Sequence, residues 1–104
     1  MREITVLQLI QHLQGDDPLQ VIDIRNRVDW EQDRIPGAIL IEDAAGISGL
    51  DPELPTVVYC YLGYSSQPMT AQLESHGFTD VASMIGGFKS WREHQEKATN
   101  SAPD

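Results

Sequence analysis

The chain has 104 residues, of which 40% are hydrophobic and 22% charged, enough for one domain with its own core and no need of disulfide or metal support. Its formal charge of −9 argues against nucleic acid or an anionic membrane as a partner, because both require a basic surface. A single cysteine excludes an intramolecular disulfide, no apolar run approaches the roughly 20 residues of a bilayer span, and the start MREITVLQLIQHLQGDD is periodic where a signal peptide would be continuous; the expected location is cytoplasmic.

Residues 3–5 read as a brief strand, with Thr5 capping a helix on which Val6, Leu9, Ile10 and Leu13 share one face and which Gly15 ends. After the Asp16-Asp17-Pro18 turn, residues 20–24 (QVIDI) form a short, nearly continuous apolar strand, as expected of a parallel strand covered on both faces. Residues 28–34 are expected as a short helix around Trp30, stopped by Ile35-Pro36-Gly37, and residues 38–41 as a third strand. Residues 42–55 carry little signal beyond one helical turn at 44–46 and the prolines of a loop. Residues 56–59 (TVVY) are a buried strand, followed by a loop and by a helix opened by a serine cap and Pro68, with Met69, Ala71 and Leu73 facing inward. A fifth strand over 79–85 and a last helix carrying Phe88 and Trp91 complete a domain over 1–98, leaving a frayed tail at 99–104. Strands alternating with helices imply an α/β fold whose sheet is mainly parallel.

In such sheets ligands gather at the carboxyl ends of the strands, and Cys60 stands at the end of the fourth. The amides of a helix start have no partners within the helix and attract anions, so a thiol held above them ionises readily. A buried structural cysteine is the competing reading, and position alone leaves both open. Metal binding is not expected, since His12, His76 and His94 are far apart and no ligand-spaced pair occurs. Gly63-Tyr64-Ser65-Ser66-Gln67 falls short of a serine nucleophile elbow because Gln67 replaces the second glycine. Asp23 and Arg25, two apart, share a face; Arg25 either assists anion binding at the pocket edge or, the favoured reading, forms a salt bridge or binds loop carbonyls. Trp30, Phe88 and Trp91 are expected as core packing.

The residues Val21-Ile22-Asp23-Ile24-Arg25, Trp30, Ile35-Pro36-Gly37-Ala38, Val57-Val58-Tyr59-Cys60, Gly63, Ser66, Leu73, Gly77-Phe78, Val81, Gly86-Gly87-Phe88 and Trp91, in that order, resemble the rhodanese-like domain family. The loop Cys-Tyr-x-Gly-x-Ser-Ser-Gln is most similar to that of small bacterial single-domain thiosulfate sulfurtransferases. The resemblance implies a three-layer domain with a five-stranded sheet, no cofactor, and a Cys60 persulfide that carries sulfur from thiosulfate or a similar donor to cyanide, a thiol or a dithiol protein. It implies Cys60 as nucleophile, and Tyr61, Leu62, Gly63, Tyr64, Ser65 and Ser66 as the substrate-binding loop, with Arg25 the nearest candidate cation. The six-residue loop from Cys60 to Ser65 goes with sulfur substrates; a phosphatase loop would need arginine where Ser66 stands. Two departures stand out. Ser65 occupies a place that is arginine in many members, and no Lys or Arg occurs between Arg34 and Lys89, so modest affinity for thiosulfate is expected. A sulfur-carrier or interaction module loaded by a partner enzyme, and a silent regulatory domain, are the alternatives.

Overall fold

The computed structural model describes residues 2–100, with side chains through 98. Five strands, β1 (Arg2–Ile4), β2 (Gln20–Asp23), β3 (Ile39–Leu40), β4 (Thr56–Tyr59) and β5 (Val81–Met84), form one sheet in the order β1-β5-β4-β2-β3. Every pairing is parallel, with Val57 beside Val21 on one side and Ala82 on the other. Four α-helices, α1 (Val6–Gln14), α2 (Arg27–Gln32), α3 (Ser66–Ser75) and α4 (Gly87–Asn100), and a 3-10 helix at Ala44–Gly49 make the connections. The tail expected from 99 onward falls on the last two residues of α4 and on 101–104, which lie outside the described residues.

The two-residue period of a strand sorts β4 into the two outer layers. Val57 and Tyr59 join Leu9, Met84, Phe88 and Trp91 on the side of α1 and α4. Val58 joins Ile22, Leu73 and Phe78 on the side of α3 and the 3-10 helix. Burial on both faces explains why these strands read as continuous apolar runs. At the entrance to α1, Thr5 Oγ1 accepts from the Gln8 amide while the Gln8 side chain accepts from the Thr5 amide, a reciprocal cap that ends β1 one residue before the expected boundary.

Several local expectations need correction. Trp30 is half-buried, not core: its Nε1 donates to the Ala38 carbonyl and the Arg34 guanidinium lies 4.0 Å from its ring centre. On α3 Leu73 is buried and Met69 packs against the same cluster as expected, joined by Ser66 and Thr70, while Ala71 is exposed. The single turn expected at 44–46 is a six-residue 3-10 helix that buries Ile47, with the Asp43 side chain accepting from the Ala45 amide at its start. An Ala-Gly-rich stretch has too few apolar residues for a helical period to show.

Among the described residues, one charged group lies wholly inside. Asp23, 0% exposed at the end of β2, accepts from the Arg25 amide at 2.8 Å, from the Arg25 guanidinium through Nε and a terminal nitrogen, and from the Tyr59 hydroxyl at 2.7 Å. Arg25 also donates to the Asp33 carbonyl at 2.6 Å and lies over the Phe88 ring at 3.9 Å. Burial, followed by the hydrogen bond to Asp23 and its charge, pushes the Tyr59 phenol far above its ordinary range, so it remains a donor. Replacing Asp23 with alanine leaves the buried Arg25 charge without its partner. Asp23→Ala should lower unfolding free energy by about 3–5 kcal/mol, a large part of what such a domain has, as urea denaturation would measure; a loss below about 1 kcal/mol would show that the network is not a keystone.

Candidate active site

Cys60 is the residue after β4, at the carboxyl edge of the sheet, and its side chain is 6% exposed. The chain then turns through Tyr61, Leu62, Gly63, Tyr64 and Ser65 into α3. Gly63 makes this tight return possible. Its φ of +98° lies where side chains rarely go, and a Cβ there would stand 2.9 Å from the Gly86 amide nitrogen. The Gly63 amide donates to Cys60 Sγ at 3.0 Å, and the Ser65 and Ser66 amides favour the charged form of the sulfur. The Cys60 thiol is placed to donate to Ser66 Oγ, 3.6 Å from Sγ, and the same contact lets the Ser66 hydroxyl donate once the sulfur is ionised.

These contacts decide the state of the thiol. Burial is the largest single influence and opposes ionisation. The Ser66 hydroxyl and the Ser66, Gly63 and Ser65 amides act the other way, and together they bring the Cys60 thiol below its ordinary range. No charged side chain is among the causes. The charged form of the sulfur is therefore favoured by dipoles, in a site whose loop carries no cation.

The loop is anchored from below by α4. The Phe88 amide donates to the Cys60 carbonyl at 2.8 Å and the Lys89 amide to the Tyr61 carbonyl at 3.0 Å. This approach leaves no room at Gly87, where φ is +61° and a Cβ would lie 2.5 Å from the Tyr61 oxygen. The double glycine therefore serves contact with the active loop as well as a turn.

The candidate loop residues divide by position. Gly63, Ser65 and Ser66 turn their amides to the sulfur, whereas Tyr61, Leu62 and Tyr64 are exposed around it, Tyr64 to 75%. Among the described residues, the Gly63 amide is the one in hydrogen-bond geometry with the sulfur, and the Ser65 and Ser66 amides add to the stabilisation of its charge. The serine cap of α3 is not formed: Ser65 makes no side-chain cap bond, and the Ser66 hydroxyl is used at the sulfur and on Ser83 Oγ, 2.6 Å away. Arg25, with its guanidinium held by Asp23, Asp33 and Phe88, takes the structural role of the two open to it. Sequence reasoning missed Ser83. Its signal was a lone hydroxyl in the strand VASM, where a buried polar group must find a partner.

With this geometry, the comparisons with known proteins have a direct meaning. Residues 5–94 match the family described as Rhodanese-like domain. This chain belongs to the rhodanese-like domain family. The thiosulfate sulfurtransferase GlpE of Shewanella oneidensis is 36% identical over 95 residues, spanning 88% of this chain and 93% of that protein. That of Pseudomonas fluorescens strain Pf0-1 is 44% identical over 75 residues, 69% of each chain. Among solved structures, a rhodanese-like domain protein from Staphylococcus aureus superposes with a TM-score of 0.81 at 26% identity, covering 88% of this chain and 91% of that one. The all-parallel five-stranded sheet between two helical layers agrees with the rhodanese fold that the sequence implied. Among the described residues no helix is long and apolar enough to cross a membrane.

A lowered thiol pKa has two measurable consequences. Iodoacetamide should alkylate Cys60 in the folded protein with a midpoint below that of the same chain in urea. Because the folded state binds the thiol proton more weakly than the unfolded state, this rhodanese domain should gain stability as pH rises from the folded midpoint to the unfolded one, and lose that gain as pH falls. Cys60→Ala should abolish this difference, and equal alkylation midpoints in folded and unfolded chain would contradict the geometry.

Proposed function

We propose that this rhodanese domain, taken as one unit over 1–98, is a sulfurtransferase that moves sulfane sulfur from thiosulfate or a similar donor to a thiol or cyanide acceptor through a Cys60 persulfide. The observation that carries the reading is the Cys60 sulfur with three loop amides and a hydroxyl turned towards it. The names of relatives at 36% and 44% identity give the donor class. In the first half-reaction the Cys60 thiolate attacks the outer sulfur of thiosulfate; the S–S bond of thiosulfate breaks, its electron pair leaves with sulfite, and Cys60 retains a persulfide anion. In the second, an acceptor thiolate or cyanide attacks the outer persulfide sulfur and the Cys60 thiolate leaves. Each step begins and ends with negative charge on sulfur at the loop, which is where donors already oriented for it lower the barrier.

The amides of Gly63, Ser65 and Ser66 hold the inner sulfur, and Tyr61, Leu62 and Tyr64 form the rim through which donor and acceptor pass. Thiosulfate carries two negative charges and meets a thiolate with no cation in the loop, so its binding relies on N–H groups and is weak. The absence of a loop cation also keeps the carrier reading in play, in which a partner enzyme loads the sulfur. The acid surface favours partners other than nucleic acid, and a cytoplasmic setting suits a lone reactive thiol.

Intact-mass measurement after incubation with thiosulfate tests the proposal. The protein should gain one sulfur, lose it to a thiol reductant, and fail to gain it as Cys60→Ala. Continuous turnover of cyanide to thiocyanate should follow. Uptake from a cysteine desulfurase but not from thiosulfate would replace the enzyme with the carrier, and no uptake from either would leave the domain silent.

A further inference from the structure

Beneath the sulfur lies a group with no part in the chemistry above. In β5, Ala82 and Met84 join the core on the side of α1 and α4, while Val81 joins the other layer, so Ser83 turns with Val81 toward α3. It is a hydroxyl in an apolar layer, 1% exposed. Its Oγ lies 2.6 Å from Ser66 Oγ, and among the described residues that is the only hydrogen bond of its side chain. Ser66 is itself buried completely and stands 3.6 Å from Cys60 Sγ.

These positions give the hydroxyl pair a direction. Each hydroxyl has one hydrogen to donate and can accept more than one. The Ser83 hydrogen has one acceptor in reach, Ser66 Oγ, so Ser83 is satisfied as a donor when Ser66 accepts from it. Ser66 is then free to turn its own hydrogen to the sulfur. In the thiol form the S–H can donate to Ser66, and with three hydrogens for the two links Cys60–Ser66 and Ser66–Ser83, one of the hydroxyl hydrogens is then left without an acceptor. That cost falls on the protonated form alone. We propose that Ser83 is a positioning residue that fixes Ser66 as a hydrogen-bond donor to Cys60 and so favours the thiolate. No proton passes along the chain: ionisation releases the thiol proton to water, and the two hydroxyls rotate about atoms that stay in place.

No charge competes for this role. At the strand ends Asp23, Arg25 and Tyr59 are bonded to one another. Tyr61 and Tyr64 are exposed on the rim, α3 has no acidic residue in its first turn, and Lys89 on α4 is paired with Glu93 at 3.7 Å.

The inference rests on Cys60 as the reactive residue, but its test reads ionisation and not sulfur transfer, so either can fail alone. The measurement is the pH dependence of Cys60 alkylation by iodoacetamide in wild type, S66A, S83A, the S66A/S83A double variant, and the similarly shaped pair S83T and S83V, each checked for folding by circular dichroism. Near neutral pH, S83A and S83V should react about fivefold more slowly than wild type with midpoints moved upward. S83T should restore the wild-type profile, and the double variant should match S66A because Ser83 acts through Ser66. Equal midpoints in S83T and S83V, or S66A and S83A effects that add in full, would overturn the proposal; the S83T/S83V comparison decides it even where S83A folds poorly.

Discussion

The Gly63 amide and the Ser66 hydroxyl contact a sulfur that is almost wholly removed from water, and the Ser65 and Ser66 amides add to the stabilisation of its charge. Burial alone would raise the thiol's pKa, and the donors outweigh it, so that the net shift is downward. Backbone dipoles do so without a cation because they are oriented by the fold before charge forms, and so little is spent on reorienting them. This suits an active loop with no Lys or Arg, and it explains why loop geometry matters more here than the identity of most loop side chains.

The geometry in turn depends on what lies beneath it. The first amides of α4 hold the Cys60 and Tyr61 carbonyls, so the loop is fastened from α4 while it opens into α3. Gly87 permits that approach, and Gly63 lets the chain fold back against Gly86. Phe88, the next residue, is covered by the Arg25 guanidinium, which Asp23 and the Asp33 carbonyl immobilise. The buried ion pair at the end of β2 thus reaches the sulfur through two packed contacts. A side chain that looked like a possible substrate clamp acts as a strut, since its Nε and one terminal nitrogen are held by Asp23 and the Asp33 carbonyl.

The architecture was readable because its signals are local and periodic. The centres of β2 and β4, Val21-Ile22 and Val57-Val58, are apolar on both faces, as the middle of a buried parallel strand must be, and the Thr5–Gln8 cap is written in neighbouring residues. The place of Cys60 followed from the same logic, a thiol where a strand ends and a helix begins. What escaped depends on tertiary partners. Ser65 and Ser66 are by sequence open to capping or to the sulfur; which of them turns its hydroxyl to Cys60 is set by Ser83, on a strand distant in the chain. Which of the six loop amides turn inward depends on backbone torsions that residue types do not specify, apart from the glycine at 63. Trp30 looked like core because large aromatics usually are, but its indole N–H needs the Ala38 carbonyl and so sits at an edge.

The most direct measurement is an NMR titration of the backbone amides of 15N-labelled protein across the ionisation of Cys60, with Cys60→Ser as reference. The amide protons of Gly63, Ser65 and Ser66 should move together, to lower field, with one midpoint equal to that of the thiol, and should stay still in Cys60→Ser. If those three amides do not respond while the thiol titrates, the donors are not turned to the sulfur and the account of this site fails.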